Sequence, residues 1–354
     1  MLVIIFMKKG DHNNMGAPTL NLYSGKKQKV KKAKPSPAES KKGFAWGNNE
    51  LDKNAMGGTE MMKYGLYERL NDDVKDYYQI ITSRVRELDG RPAILWLHDM
   101  WNDPEAQHLK EESSRDRFKK LVFVSNWQQY SYQLTMGIPP SKCLVLKNAI
   151  EPIPEHKKPE DKINLIYHTT PHRGLHLLWP VYCELYKHFG DNIHLDVYSS
   201  FEAYGWKERD EEYSQLFDEL RDHPGITYHG YQKNEIVREA LQKAHIFAYP
   251  CIWPETSCIS VIEAMSASCC VVCPNLAALP ETTGNWATMY PYHEDQEKHA
   301  NIFINQLATA IDRYRQPGME DKWYNQKGWT DTWYNWDLRA AQWNGWLKDL
   351  KQHC

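Results

Sequence analysis

Two doubly wound α/β domains set face to face are the architecture that three observations predict. Short, continuous apolar runs recur along the chain, helical periodicity falls between most of them, and a Pro-rich charged stretch, Pro152–Lys162 (PIPEHKKPEDK), divides them into two series. Continuous apolarity marks strands covered on both faces, as in parallel sheets. Alternation of such strands with helices implies βαβ units. At 354 residues the chain suits two domains of ordinary size. The expected boundaries are 1–150 for the first domain, 151–322 for the second and 323–354 for a helical tail.

Taken in order, Met1–Phe6 (MLVIIF) reads as a first buried strand. Residues 7–56 then lack apolar periodicity and contain Gly25–Lys42, with eight lysines among Pro, Ser and Gly. Such a composition buries too little to offset its ordering entropy, so about 11–45 is expected to be a flexible insertion. Gly57–Glu60 (GGTE) leads into a helix ending near Leu70, with Thr59 as a candidate cap. YYQIIT, AILWLH (Ala93–His98), LVFVS (Leu121–Ser125) and KCLVLKNAI complete the first series. The second series runs INLIYH, IHLDVYS, ITYHG, HIFAYP, CCVVC and ATMY, with helices expected over Gly174–Phe189, Glu208–Arg221, Asn234–Ala244 and Ser260–Ala267. From Trp323 to Leu350 the chain reads as helical, with Trp336, Ala340, Trp343, Leu347 and Leu350 on one apolar face that packs against a neighbouring domain.

Composition excludes little but shapes the expectations. With 42% hydrophobic and 25% charged residues and a net charge of −3, no partner follows from overall charge. The charge is uneven, however: residues 1–56 hold eleven lysines, no arginine and four acids. Lys26–Lys42 therefore reads either as a solvated loop or as a weak contact for an anionic surface. Fourteen Trp and 21 Tyr suit flat, polar-tolerant pockets as well as ordinary packing. MLVIIF lacks the basic flank of a secretory signal and is shorter than its ~7–15-residue apolar core. No run approaches the ~18 apolar residues of a membrane span. Eight cysteines without framework spacing fit a reducing compartment. The expected location is cytoplasmic, soluble or peripheral at a membrane.

Four groupings carry chemistry. Within Tyr249–Met265 (YPCIWPETSCISVIEAM), Glu255 and Glu263 bracket a turn and a helix start. Helix-start amides attract phosphate, and a carboxylate can accept from vicinal ribose hydroxyls. In Ile166–Leu178 (IYHTTPHRGLHLL), Arg173 can grip two phosphate oxygens while Gly174 allows close backbone approach. Gly57 and Gly58 form a loop before a helix, which serves binding or a structural turn equally well. His98 ends a strand at the carboxyl edge, where α/β sheets gather ligands, though a lone histidine there is more often structural. Cys270-x-x-Cys273 lies in a Val-rich strand and reads as core, not as zinc or redox chemistry. No Gly-x4-Gly-Lys-Ser/Thr loop and no Asp-x-Asp metal motif occurs.

Together these segments are similar to retaining glycosyltransferases of the GT-B fold, specifically glycosyltransferase family 4, whose two halves are Rossmann-like domains facing across a cleft. The resemblance spans about Asn49–Ala310 and rests on Glu255-x7-Glu263, Ser260–Met265 (SVIEAM), Arg173-Gly174-Leu175, Val124–Gln128 (VSNWQ) and Gly137–Ile150. It implies that Glu263 holds the ribose of a nucleotide-sugar, while Glu255 with the amides of Thr256, Ser257 and Cys258 addresses the donor sugar. Arg173 matches a base that stabilises the leaving diphosphate, His98 a histidine facing the donor sugar, and Gly57 and Gly58 a loop against phosphates or acceptor. The family carries a second basic residue about six positions before Arg173. Tyr167 and His168 stand there, so His168, Thr169 and Thr170 are the candidate substitutes. Cys258, Ser268 and Asn275–Ala278 also depart from positions where glycines are common.

The implied activity is hexosyl transfer with retention from a nucleotide-diphosphate sugar, a UDP- or GDP-sugar, to a hydroxyl acceptor, with no obligatory metal or other cofactor. The acceptor class stays open among glycans, lipid carriers, proteins and modified bases. Alternatives on the same fold are a sugar-nucleotide epimerase, a phosphorylase, or a non-catalytic relative that binds glycan, nucleic acid or membrane.

Overall fold

The computed structural model describes residues 57–353. The expected strand Met1–Phe6 and the Lys-rich segment lie outside the described residues. The first sheet holds four parallel strands in sequential order: β1 (Gln79–Thr82), β2 (Ala93–Leu97), β3 (Phe118–Phe123) and β4 (Cys143–Val145). Its helices are α1 (Gly58–Arg69), α2 (Asp72–Lys75), α3 (Glu112–Arg115) and α4 (Asn126–Met136). Strand β2 is buried throughout. It sends Ile94 and Trp96 into one apolar cluster and Ala93, Leu95 and Leu97 into another, so the sheet is covered on both faces.

The second sheet has six parallel strands: β5 (Ile163–Tyr167), β6 (Ile193–Val197), β7 (Ile226–Tyr228), β8 (Ile246–Ala248), β9 (Cys270–Pro274) and β10 (Thr288–Tyr290). Their order is β10-β9-β8-β5-β6-β7. The helices here are α5 (Leu175–Phe189), α6 (Ser214–Asp222), α7 (Asn234–Lys243), α8 (Ile259–Ser266), α9 (Leu279–Thr283) and α10 (Gln296–Arg313). The chain builds outward from β5 through β7, then returns to place β8 on the other side of β5. The reversal point therefore lies between β5 and β8, where open α/β sheets bind ligands.

Two helices end the described chain, α11 (Met319–Trp333) and α12 (Trp336–Gln352). The expected continuous helix is broken because the Asn335 side chain accepts the Leu338 N–H at 2.7 Å and starts a new helix. Helix α11 packs on α8, whereas α12 returns to α1 and α2, burying Trp336, Trp343 and Leu347 against the first sheet.

Two local expectations change. Thr59 lies inside α1, whose N-cap position is Gly57 without a side-chain cap. The helix expected over Glu208–Arg221 is a 3-10 turn, Lys207–Tyr213, followed by α6. Only α6 has an apolar stripe (Phe217, Leu220) to bury. Cys270 and Cys273 sit in β9, both buried, and the described cysteines are all free thiols. No helix among the described residues is long and apolar enough to cross a membrane.

Candidate active site

A cleft of about 1140 Å³ runs between the two sheets and is lined from both sides. One wall comes from the loops that leave β5 and β8, the pair at the reversal point. Gly174 makes their approach possible. Its φ is +124°, and a Cβ there would meet the Pro250 carbonyl oxygen at 2.2 Å, so only glycine fits. Ile252 N–H then donates to the Arg173 carbonyl at 3.3 Å.

This approach brings Arg173 and Glu255 together. The Arg173 guanidinium donates to Glu255 Oε1, its Nε donates to Thr170 Oγ1 at 3.1 Å, and Nη2 reaches the Tyr204 hydroxyl at 3.4 Å. Tyr249 donates its hydroxyl to the same Glu255 oxygen at 2.6 Å. Burial disfavours the Arg173 charge, but Glu255 and the two tyrosines outweigh it and hold its pKa well above the ordinary arginine value. The Glu255 carboxylate is 7% exposed and so belongs to a fixed network at the cleft wall.

The opposite wall carries His98, just past β2. Its N–H donates to Ser83 Oγ at 2.9 Å, and its carbonyl accepts from Thr256 Oγ1 at 2.8 Å, a direct tie between the domains. Its ring packs at 4.5 Å from Trp96, which in turn meets Trp343 at 5.0 Å. Burial pushes its pKa down to about 3, so the ring is neutral. Nε2 is buried without a partner among the described residues, an orphan that a ligand hydroxyl can satisfy.

The remaining expected residues divide. Gly58, Thr169, Thr256, Ser257 and Cys258 line the cleft, with Cys258 at the N-cap of α8. Gly57 is buried beside it, where a Cβ would strike the Tyr204 ring at 2.7 Å. Thr170 is buried, and its hydroxyl is taken by Arg173. His168 is buried against Phe247 at 4.4 Å, with its pKa pushed down to about 3 by burial, so it supplies no cation. Glu263 is not among the cleft-lining residues. It accepts from Arg238 Nη1 at 2.9 Å and from Asn234 Nδ2 at 3.1 Å. Burial raises its pKa against the opposing pull of Arg238 and Asn234.

Several contributors escaped the sequence reading: Tyr204, Arg209 and Trp253 in the cleft, Tyr249 behind Glu255, and Arg238 on Glu263. A tyrosine just past a buried strand, as Tyr249 is past β8, offered the one available signal, because its hydroxyl needs a buried partner.

Residues 148–315 match the family described as glycosyl transferases group 1. Among solved structures, the chain is similar to a glycosyltransferase from Rickettsia africae ESF-5 (TM-score 0.64, 14% identity, covering 86% of this chain and 85% of that one). It is also similar to Anabaena HepE in complex with UDP and glucose (TM-score 0.57, 16% identity, 73% and 72% covered). A third likeness is sucrose-phosphate synthase from Thermosynechococcus elongatus (TM-score 0.56, 14% identity, 75% and 69% covered). No curated protein sequence matches the chain. At these identities the structural likeness carries the fold, and the family match carries the second domain. The molecule thus has the two-domain GT-B fold of glycosyltransferases, and its residues 148–315 match the family described as glycosyl transferases group 1.

Proposed function

We propose that the protein transfers a hexose, with retention, from a UDP- or GDP-sugar to an acceptor hydroxyl. The observation that carries this reading is the Arg173–Glu255 pair at the reversal point of the second sheet, facing His98 across the cleft. A departing nucleoside diphosphate needs donors already in place, and Arg173 with the first amides of α5 and α8 supplies them. For that reason the reading assigns no obligatory metal. The His98 Nε2, neutral and unpartnered, suits a sugar hydroxyl. In the retaining scheme, the departing phosphate oxygen takes the acceptor proton on the face it leaves. Glu255 then orients Arg173 and the donor sugar and is not assigned as a nucleophile. UDP and glucose bound by HepE favour a UDP-sugar donor.

Glu263 belongs to the nucleotide side in this reading. It requires the carboxylate to exchange Asn234 or Arg238 for ribose hydroxyls, or to hold the ribose with its remaining lone pairs. The acceptor is a glycan, a lipid-linked sugar or another hydroxyl. The proposed location is cytoplasmic or peripheral at a membrane, with Lys26–Lys42 the segment for any anionic contact.

The decisive assay incubates the chain with a panel of nucleotide-sugars, with and without EDTA. Mass spectrometry then follows hydrolysis first and transfer to acceptor pools second. Release of nucleoside diphosphate that persists in EDTA and is lost in Arg173→Ala supports the reading. Interconversion of sugars without any acceptor would replace it with an epimerase.

A further inference from the structure

The cleft wall formed by the second sheet presents two guanidinium groups, and only one is neutralised. Arg173 is matched by Glu255, so that pair brings no net charge to a diphosphate. Arg209 lies in the 3-10 turn Lys207–Tyr213 and also lines the cleft. Two acids of the same loop are engaged elsewhere. Glu202 pairs with Lys207 at 3.0 Å, and Asp210 accepts from the Ser200 hydroxyl and, at 2.8 Å, from Phe201 N–H. Among the described residues no carboxylate lies within ion-pair distance of Arg209. Across the cleft, Arg84, Arg86 and Arg91 face Asp103, Glu105 and Asp89 at 3.9, 3.4 and 2.6 Å.

Arg209 is nevertheless held in place. Its guanidinium lies 4.2 Å from the centroid of Phe201 and 5.5 Å from that of Trp206. Phe201 is buried and also stacks on His172, the residue before Arg173, at 5.2 Å and 14° between planes. A second path runs through Tyr204, which accepts from Arg173 and meets Trp206 at 5.5 Å. Asp210 closes the loop beneath, fixing the backbone next to Arg209. A guanidinium against a ring keeps its N–H edge free for oxygens, which an ammonium cannot do as well. Burial, with Arg173 and Arg209 both pushing the same way, lowers the His172 pKa to about 3, so His172 adds no third charge. At the position six before Arg173 the hydroxyl of Tyr167 donates to Thr170 O at 3.0 Å and offers no cation either.

We infer that Arg209 is the second cation of the diphosphate site, donating to phosphate oxygens of the donor and of the nucleoside diphosphate that leaves. This rests on the nucleotide-sugar reading given above. The net positive charge then comes from the loop after β6, with the Arg173–Glu255 pair as a fixed hydrogen-bonding frame.

Calorimetric titration with UDP and GDP tests it, on the full chain and on Arg209→Met and Arg209→Lys. The wild-type chain is expected to bind one of the two. Arg209→Met should bind it roughly 10- to 100-fold more weakly, the loss of a charge-assisted bond, with Arg209→Lys recovering part of the affinity. Binding of the matching uncharged nucleoside, followed by NMR titration, should not change in Arg209→Met, nor should its melting temperature. Wild-type affinity for the diphosphate in Arg209→Met would overturn the proposal, as would an equal loss for the nucleoside. Failure of the wild-type chain to bind either diphosphate overturns the nucleotide-sugar reading itself, and this proposal with it.

Discussion

Arg173 and Glu255 form a buried ion pair between two loops that leave adjacent strands of the second sheet. The pair is at once a packing element and a polar frame, and its two roles can be separated. Arg173→Met leaves the Glu255 carboxylate buried against Tyr249 and is expected to cost about 3–5 kcal/mol of stability. The double variant Arg173→Met/Glu255→Gln should recover most of that in chemical denaturation. Its turnover should stay ~10²–10³-fold down if the proposed donor to the leaving group is missing. Recovery of turnover in the double variant would assign the pair a purely structural role.

Glu281 joins the two domains. It accepts from Asn126 N–H at 3.1 Å and Trp127 N–H at 3.0 Å, the open first turn of α4, and faces Lys147 at 3.4 Å. Burial would raise its pKa, but these donors and Lys147 together hold it below the usual glutamate value. Its stabilising contribution is therefore present above the unfolded pKa and is lost as pH falls through the folded one. Glu281→Ala should cost about 1 kcal/mol and speed amide hydrogen exchange in the first turn of α4 while leaving the rest of that helix protected.

Five histidines set the acid limit. Burial lowers His98, His168 and His172 to about 3 and His245 and His299 to about 4. Between those values and the ordinary 6.5 the unfolded chain binds more protons than the folded one, so stability falls as pH drops through that window. Burial also raises Glu60, Asp99 and Glu263, which act in the opposite sense above 4.5. Five histidines oppose three carboxyl groups, so the melting temperature should fall from pH 7 to pH 5. The NMR shifts of these five rings should not titrate across the same range.

Ala277 has a φ of +52°, the left-handed region that an L side chain occupies at a cost of about 1–2 kcal/mol. Glycine removes that cost and returns roughly half of it as chain entropy. Ala277→Gly should therefore raise stability by about 0.5–1 kcal/mol in denaturant titration. The next residue, Ala278, donates to the Glu255 carbonyl at 3.0 Å, so donor affinity also reports whether the turn is unchanged.

Trp343 fills the space between α12 and the first sheet and supports Trp96, the ring against His98. Trp343→Ala should cost about 3–5 kcal/mol. Trp343→Phe, which keeps most of the packing, separates that cost from any change in turnover transmitted through Trp96 to His98.

The strands were legible because parallel sheets write themselves as continuous apolar runs, and each of the ten described strands overlaps an expected run, although β3 begins three residues earlier and β9 ends one residue later than its run. Arg173 and Glu255 each stood out by the loop that follows an apolar run, whereas their meeting depends on the β5–β8 pairing that the structure shows. What hid was everything that depends on partners distant in sequence. Nothing in the letters places Arg238 against Glu263, 25 residues away, or Glu281 against the start of α4, 155 residues away. The loop from Ser200 to Tyr213 read as helix in part because its charges hide the stacking of Phe201, Trp206 and Arg209. The break at Asn335 was hidden too, because a cap residue inside a Trp-rich helical pattern looks like one more polar position.

That break has a mechanical meaning. The chain passes between domains near Ile150 and again near Asn335, and the two crossings lie side by side: Ile150 N–H donates to the Tyr334 carbonyl at 2.7 Å, and Ile150 pairs with Asn335 as a parallel bridge. Two straps fastened along one line let a pair of plates swing but resist their twisting. Opening about that line would first have to break the Thr256–His98 and Glu281–α4 hydrogen bonds, which lie away from it.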